Sequence, residues 1–186
     1  MRRTGPATIG AMIGACVLAA LPPLSGRPAR ADDSLRTLMV SGDWIAKEER
    51  ASGSPGGNVC IAFTAGQDNG FGLRAGPGDF EVRYSQDNWV LPDNVKGNLV
   101  FDIGPYHSVL AVTSNTRDTA IVSVTREKLD DMISAMETVS VMSVTAGIAS
   151  PEKVSLHGSN RATTAFLRCI TGIEILGGAN TVNLRP

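Results

Sequence analysis

The chain has 186 residues, of which 42% are hydrophobic and 19% charged, with 17 basic and 18 acidic side chains. This length and apolar share suit one globular domain with a buried core, and they exclude a disordered chain, a collagen and a coiled coil. The near-neutral charge without a Lys/Arg cluster also argues against nucleic acid as a partner, because phosphate binding requires several basic residues on one face.

The first 31 residues have the composition of a secretory signal peptide. Arg2 and Arg3 precede an apolar run over residues 9–21, and an Ala-x-Ala cleavage site ends at Ala31. The run is shorter than the roughly 20 residues that span a membrane, so we expect no transmembrane segment after the signal is removed. The sequence therefore predicts a periplasmic or secreted protein of a Gram-negative bacterium.

Cysteine usage fits an exported chain. Cys16 lies within the predicted signal, and a lipid anchor on this residue is the minor alternative to cleavage after Ala31. Cleavage leaves Cys60 and Cys169, an even number in an oxidising compartment, so we predict a disulfide between them, with two separate buried thiols as the alternative. Cleavage also removes four basic residues and no acidic one, which leaves a net charge of −5.

The first part of the mature chain contains short predicted strands. Residues 32–43 are an N-terminal lead that is either a first strand or a loose arm, and residues 44–171 form a single β-rich domain. Residues 44–46 read as an edge strand, and a loop rich in Gly and Pro follows over residues 48–57. Residues 58–74 read as a hairpin, with its turn at Asp68-Asn69-Gly70.

The central part shows the alternation that is typical of half-buried strands. Phe80, Val82 and Tyr84 alternate with polar residues after a turn at residues 76–79, and further strands are predicted over residues 99–103, 107–113 and 119–124. Closely spaced strands with tight turns predict a mainly β fold (α+β), an antiparallel β-sandwich or barrel with two helices packed on it.

The two helices follow. The first carries apolar residues at the helical spacing i, i+3, i+4, i+7 and begins after the capping residue Thr125; these apolar residues are Leu129, Met132, Ile133 and Met136. After strands over residues 140–145 and 153–156, the second helix begins at Ser159 and is predicted to end at Gly172. Its apolar face holds Cys169, which should face the strand bearing Cys60. Residues 172–186 are predicted to be a C-terminal tail.

A glycine pattern in the hairpin matches a nucleotide-binding motif. Gly70, Gly72 and Ala75 have the spacing G-x-G-x-x-A of dinucleotide-binding loops. That motif works only where a helix begins at the glycines, and the Gly-Pro-Gly at residues 76–78 prevents a helix there. We therefore predict no cofactor.

The two histidines allow one enzymatic alternative. His107 and His157 have no zinc-ligand spacing, so no metal is predicted. His157, Ser159 and either Asp130 or Asp131 supply the residue types of a Ser-His-Asp hydrolase. Ser159 lacks the G-x-S-x-G context that exposes a nucleophile and fits a helix cap better, so no catalytic residue is assigned.

Other polar and aromatic residues have simpler explanations. The Asp-Asn pairs at residues 68–69, 87–88 and 93–94 favour turns over calcium binding, because none belongs to a loop with alternating carboxylates. Trp44 and Trp89 could stack on a ligand, although packing is the favoured interpretation.

The carboxyl-terminal half resembles a known family. Its features are the strand at residues 98–104, the helix around residues 126–133, the strand at residues 139–145, and a Ser-Leu-x-Gly turn before Ala162 and Phe166. Over residues 98–168 this order is similar to the invasion-associated locus B family of small exported proteins of Gram-negative bacteria. Additional cysteines are common in that family near the strand-to-helix junction, and residues 119–131 here have none. The resemblance implies a β-rich periplasmic fold without assigned catalytic residues.

These observations favour an exported, non-enzymatic binding or interaction protein whose partner is another envelope or host protein. One alternative is a small periplasmic hydrolase that uses His157. Another is a protease inhibitor or envelope-assembly factor that contacts its partner through the loop at residues 48–57.

Overall fold

A computed structural model describes residues 35–50 and 57–178, without the side chains of residues 173–178. The predicted signal peptide with Cys16, most of the loop at residues 48–57 and the last eight residues lie outside the described residues. The described part contains eleven strands and two helices. These are β1 Leu35–Ser41, β2 Trp44–Glu49, β3 Val59–Thr64, β4 Asn69–Gly76, β5 Asp79–Gln86, β6 Asn98–Ile103, β7 Tyr106–Ala111, β8 Ser114–Asn115, β9 Thr119–Val124, α1 Arg126–Met136, β10 Val141–Ala146, β11 Glu152–Ser155 and α2 Ser159–Gly178.

The strands form two antiparallel sheets, as predicted. One has seven strands in the order β1-β2-β3-β4-β5-β9-β8, and the other has four in the order β11-β10-β6-β7. The two sheets pack together, so the sandwich is the correct one of the two predicted architectures, and the barrel is wrong. Strand β1 pairs with β2 apart from a bulge between Thr37 and Met39, which makes residues 35–41 part of the sheet and not a loose arm. Residues 44–46 therefore lie in an interior strand, and their prediction as an edge strand is wrong.

The core lies between the sheets because alternate residues of each strand point inward. Phe71 on β4 marks its centre: its ring meets the Trp44 ring of β2 and the Phe101 ring of β6 at the same centroid distance of 5.9 Å, both edge-on. All three side chains are essentially inaccessible to solvent. Since Phe101 belongs to the four-stranded sheet, these contacts join the two layers.

Helix α1 follows the predicted pattern. The backbone N–H of Lys128 donates to the Thr125 hydroxyl at 3.3 Å, which caps the helix as expected. Its buried residues are the four predicted from the helical spacing, Leu129, Met132, Ile133 and Met136.

Helix α2 lies against β1, β2 and β3, and the predicted disulfide joins Cys169 of this helix to Cys60 of β3. The bond closes a sequence separation of 109 residues. The helix begins at Ser159 as predicted but continues to Gly178, so the predicted end at Gly172 is wrong. A glycine inside a helix costs about 1 kcal/mol relative to alanine, which continued backbone hydrogen bonding can offset.

The hairpin of β3 and β4 also differs from the prediction. Strand β4 begins at Asn69, so Gly70 lies in the strand, and the turn falls earlier, around Gly66 with φ of 72°. Pairing with β5 explains the shift, because Asn69 is in register with Gln86 and Gly70 with Ser85. The hydrogen-bonded pairing with β5 extends β4 through residues that by themselves favour a turn.

Candidate functional site

The Ser-Leu-x-Gly segment before α2 is held against the β1–β2 turn. The Ser155 hydroxyl donates to Asp43 Oδ2 at 2.7 Å, and the backbone N–H of Asp43 donates to the His157 carbonyl at 3.0 Å. Trp44 Nε1 donates to the Ser155 carbonyl at 3.0 Å. Gly158 has φ of 89°, and a Cβ at this position would overlap the backbone of Ser41. The segment is therefore a structural junction between the first hairpin and the last helix.

The residues of the hydrolase alternative have different surroundings. Ser159 is 2% exposed, while His157 is exposed and its ring makes no hydrogen bond within the described part of the chain. The Arg126 Nε–H is shared between the two carboxylate oxygens of Asp130, each 3.0 Å from Nε. The described contacts do not link the three predicted groups into a proton-transfer chain.

His107 lies far along the chain from that junction. Its Nδ1 is 2.6 Å from Asp102 Oδ1 across the β6–β7 hairpin, with both side chains at least half exposed. Among the described residues no three His, Cys, Asp or Glu side chains are arranged to hold a metal ion.

Two of the three Asp-Asn pairs meet in space. Residues 68–69 and 87–88, together with Gln86 and Glu152, line an open cavity of about 380 Å³. The pair at residues 93–94 does not line this cavity, and Asn94 has φ of 58°, which fits the predicted turn.

A mainly apolar cavity of about 240 Å³, here called the end cavity, opens where β6, β9 and β10 reach one end of the sandwich. The side chains and backbone around it come from Trp89, Leu91, Val95, Lys96, Gly97, Asn98, Leu99, Val112, Ala120, Ala146, Gly147 and Ala149. Most of these residues are aliphatic or aromatic, which is typical of ligand-binding cavities.

Hydrogen bonds fix the loop that contains Leu91, Pro92 and Val95 and that forms part of the wall of the end cavity. Asn115 Oδ1 accepts from the Val95 backbone N–H at 3.0 Å, and Asn115 Nδ2 donates to the Pro92 carbonyl at 2.9 Å. The Leu91 N–H donates to the Arg117 carbonyl at 2.7 Å. The cavity wall is therefore fixed by β8 and the turn after it, and not only by its own packing.

Two exposed aliphatic residues are the chain neighbours of residues that line the end cavity. Val90 is 70% exposed and lies between the lining residues Trp89 and Leu91, whereas Ile148 is fully exposed and lies between the lining residues Gly147 and Ala149. An apolar cavity beside exposed apolar side chains is a feature of binding surfaces.

The two tryptophans have different environments. Trp44 is fully buried in the core, which confirms the favoured packing interpretation. Trp89 lines the end cavity and packs edge-on against Tyr84 at a centroid distance of 5.5 Å. Burial raises the pKa of Tyr84 above its ordinary value, with a smaller opposing effect from the hydrogen bond that Gln86 donates.

A second crevice, of about 390 Å³, lies between α2 and strands β1 and β2. Arg36, Leu38, Arg168 and Cys169 are among its lining residues, so it adjoins the disulfide. Glu48 also lines it and accepts a 2.8 Å hydrogen bond from Asn58 Nδ2. The crevice is more polar and more charged than the end cavity, and its lining residue Glu48 is the first residue of the loop of the inhibitor alternative.

The described residues include no helix that is long and apolar enough to cross a membrane. The chain matches no protein-family model, and searches of curated proteins and of solved structures find no similar protein. The resemblance over residues 98–168 therefore stays a prediction.

Proposed function

We propose that the protein is an exported, non-enzymatic binding protein of the bacterial periplasm or cell exterior. In this proposal the end cavity receives an apolar side chain of another envelope or host protein. The observation that carries the proposal is an apolar cavity whose lining residues flank two exposed aliphatic residues in the chain, Val90 and Ile148.

The energetics favour a protein segment over a small polar ligand. Covering Val90 and Ile148 removes two aliphatic side chains from water, each contributing on the order of 1.5–3 kcal/mol, and an inserted side chain adds its own burial. Part of this gain is lost to the entropy of association, so we expect a transient complex of micromolar affinity. Polar groups on the rim, such as Lys96 and Asn98, can orient the partner's backbone.

Two observations support export of the protein from the cytoplasm. The disulfide between Cys60 and Cys169 suits an oxidising compartment, and the first 31 residues have the pattern of a secretory signal. The non-enzymatic assignment is supported by the surroundings of His157, Ser159 and Asp130, which are not joined by described hydrogen bonds. The partner's identity is the part of the proposal that experiment must supply.

Photo-crosslinking in cells tests the proposal. A photoreactive amino acid replaces Ile148 in one strain and Val109 in another, because Val109 is a 53% exposed valine on the outer face of the four-stranded sheet. We expect a defined protein adduct from position 148 only, and a weaker adduct when Val90→Asp is added to that strain. Equal adducts from both positions, or none from position 148, would contradict the proposal.

A further inference from the structure

The crevice between α2 and strands β1 and β2, here called the helix crevice, combines an apolar wall with basic side chains. Leu38 and Met39 of β1 and Ala165 and Cys169 of α2 form the apolar part, and all four are partly buried against the core. Its volume of about 390 Å³ lies in the range of small-molecule sites. A protein partner needs an interface of roughly 800 Å² on each side, so the crevice by itself suits a small molecule better.

The space exists because α2 has short side chains at this point. Ala165 and Gly172 both line the crevice and are seven residues apart, so they lie on one face of the helix, two turns from each other. A Cβ at Gly172 would have no neighbour within 4 Å among the described residues, so packing does not require glycine there. Alanine at this position would favour the helix, whereas glycine leaves the crevice open.

Basic side chains outnumber acidic ones at the helix crevice. Arg36 and Arg168 line it together with one acidic residue, Glu48. Arg36 Nε lies 3.5 Å from Glu48 Oε2, and Arg50 Nη2 lies 3.8 Å from the same oxygen. Glu49, the next residue of β2, points to the opposite face of the sheet because strand side chains alternate. Within the described part of the chain, three guanidinium groups therefore share one carboxylate, which leaves an excess of positive charge.

Two of these guanidinium groups keep donors for a ligand. Glu48 is already engaged, because its Oε1 accepts a 2.8 Å hydrogen bond from Asn58 and its side chain is only 14% exposed. Arg36 approaches Glu48 through Nε alone, so its Nη1 and Nη2 have no partner among the described residues. The Arg168 side chain makes neither an ion pair nor a hydrogen bond with any described residue. The crevice thus presents forked donors from β1 and from α2.

The charge and the apolar wall together define the ligand. Guanidinium forks match the oxygen pairs of carboxylates and phosphates, and the excess positive charge disfavours a cation. The apolar wall gains free energy only from a ligand that also has hydrocarbon to bury. The matching ligand is an anionic amphiphile.

We propose that the helix crevice binds a small amphiphile with a carboxylate or phosphate headgroup and a short hydrocarbon chain. Arg36 and Arg168 bind the headgroup from the two sides of the crevice, and the chain lies along Leu38, Met39 and Ala165. The helix crevice shares no lining residue with the end cavity, so this site does not depend on the proposed function.

The test uses octanoate and octyl phosphate as probes. Glycine amide signals are followed by NMR while each compound is added to the oxidised mature protein. We expect at least one probe to shift the signal of Gly172, while that of Gly147, in the end cavity, stays. The tighter of the two probes shows whether the headgroup is a carboxylate or a phosphate.

Three further compounds separate the contributions of headgroup and chain. Acetate and inorganic phosphate lack the chain, and they should need concentrations at least about tenfold higher, since each buried methylene group adds to binding. Octyltrimethylammonium has the chain but a positive headgroup, and it should leave the Gly172 signal in place. Equal binding of octyltrimethylammonium and of the anionic probes would overturn the proposal.

A matched pair of charge variants tests the guanidinium contacts. Arg168→Gln should weaken binding of the tighter probe by about fivefold to tenfold, because the contacts are charge-assisted but partly exposed. Arg161→Gln removes the same charge from an exposed position on the same helix that does not line the crevice, and it should bind as the parent does. Equal affinities of these two variants would overturn the proposal.

Filling the crevice separates binding from folding. Gly172→Leu should weaken probe binding by about tenfold or more, while its urea midpoint stays equal to or above that of the parent, since leucine favours a helix. Thr171→Leu adds the same side chain at the neighbouring exposed position outside the crevice and should bind as the parent does. The proposal is also overturned if neither probe moves the Gly172 signal at millimolar concentrations, or if Gly172→Leu binds like the parent.

Discussion

At the scale of single residues, Gly158 has the strictest steric requirement described here. Its φ of 89° and its approach to the Ser41 backbone leave no room for a Cβ. We expect Gly158→Ala to lower the free energy of unfolding by at least about 3 kcal/mol, through backbone strain and steric overlap.

Gly78→Ala is the control for that prediction, because Gly78 also has positive φ, 73°, but nothing lies within 4 Å of its Cβ position. It should cost only about 1–2 kcal/mol, the ordinary penalty of a left-handed residue. Urea unfolding of both variants measures the difference. Equal losses of unfolding free energy in the two variants would show that the contact with the Ser41 backbone adds nothing to the cost of Gly158→Ala.

Tyr84 gives the fold a pH dependence on the alkaline side. Because burial raises its pKa in the folded state, the unfolded chain loses this proton first as pH rises, and the folded state is then disfavoured. The contribution of Tyr84 to folding stability is fully present below a pH of about 10, the ordinary pKa of tyrosine, and it is lost progressively as the pH rises further.

Stability measured between neutral pH and pH of about 11 should therefore fall less steeply in Tyr84→Phe than in the parent. The assignment to Tyr84 is wrong if Tyr84→Phe keeps the parent's slope.

At the scale of elements, the disulfide anchors α2 to β3. In the chain-entropy model, cross-linking 109 residues stabilises the fold by about 4–5 kcal/mol. We expect a double variant, Cys60→Ala with Cys169→Ala, to lose an amount of this order in urea unfolding. Reduction should lower the parent's midpoint and leave the double variant unchanged. A parent that is insensitive to reduction would contradict this role.

Most elements could be predicted because their sequence periods are set locally. The alternation of Phe80, Val82 and Tyr84 marks β5, and the spacing of Leu129 and Met132 marks α1. The predictions are wrong where pairing with a strand that is distant in sequence determines the local structure. Gly70 favours a turn by itself, but pairing with Ser85 of β5 places it in β4.

At the scale of the whole molecule, the end cavity could not be predicted from sequence. Its lining comes from the segment at residues 89–99, from Val112 and Ala120, and from the segment at residues 146–149, which meet only through the register of both sheets. Trp89 was a candidate for ligand stacking, yet nothing in its local sequence distinguishes a cavity wall from ordinary packing.

Export is also a property of the whole chain. If the signal is cleaved after Ala31, the protein isolated from the periplasm or medium should begin at Asp32 and carry no free thiol. Intact-mass analysis before and after alkylation of the denatured, unreduced protein measures both. A full-length chain in the cytosol, or two titratable thiols, would contradict the account.

The central claim, that a partner inserts an apolar side chain into the end cavity, is tested most directly by fluorine NMR of the protein labelled with fluorotryptophan. The chain has two tryptophans, Trp89 in the cavity wall and the buried Trp44, which is an internal control. Trp89→Phe assigns the signals. When the protein captured by crosslinking from position 148 is added, the account predicts that the Trp89 signal shifts while the Trp44 signal stays. Tight binding that leaves the Trp89 signal unmoved would contradict it.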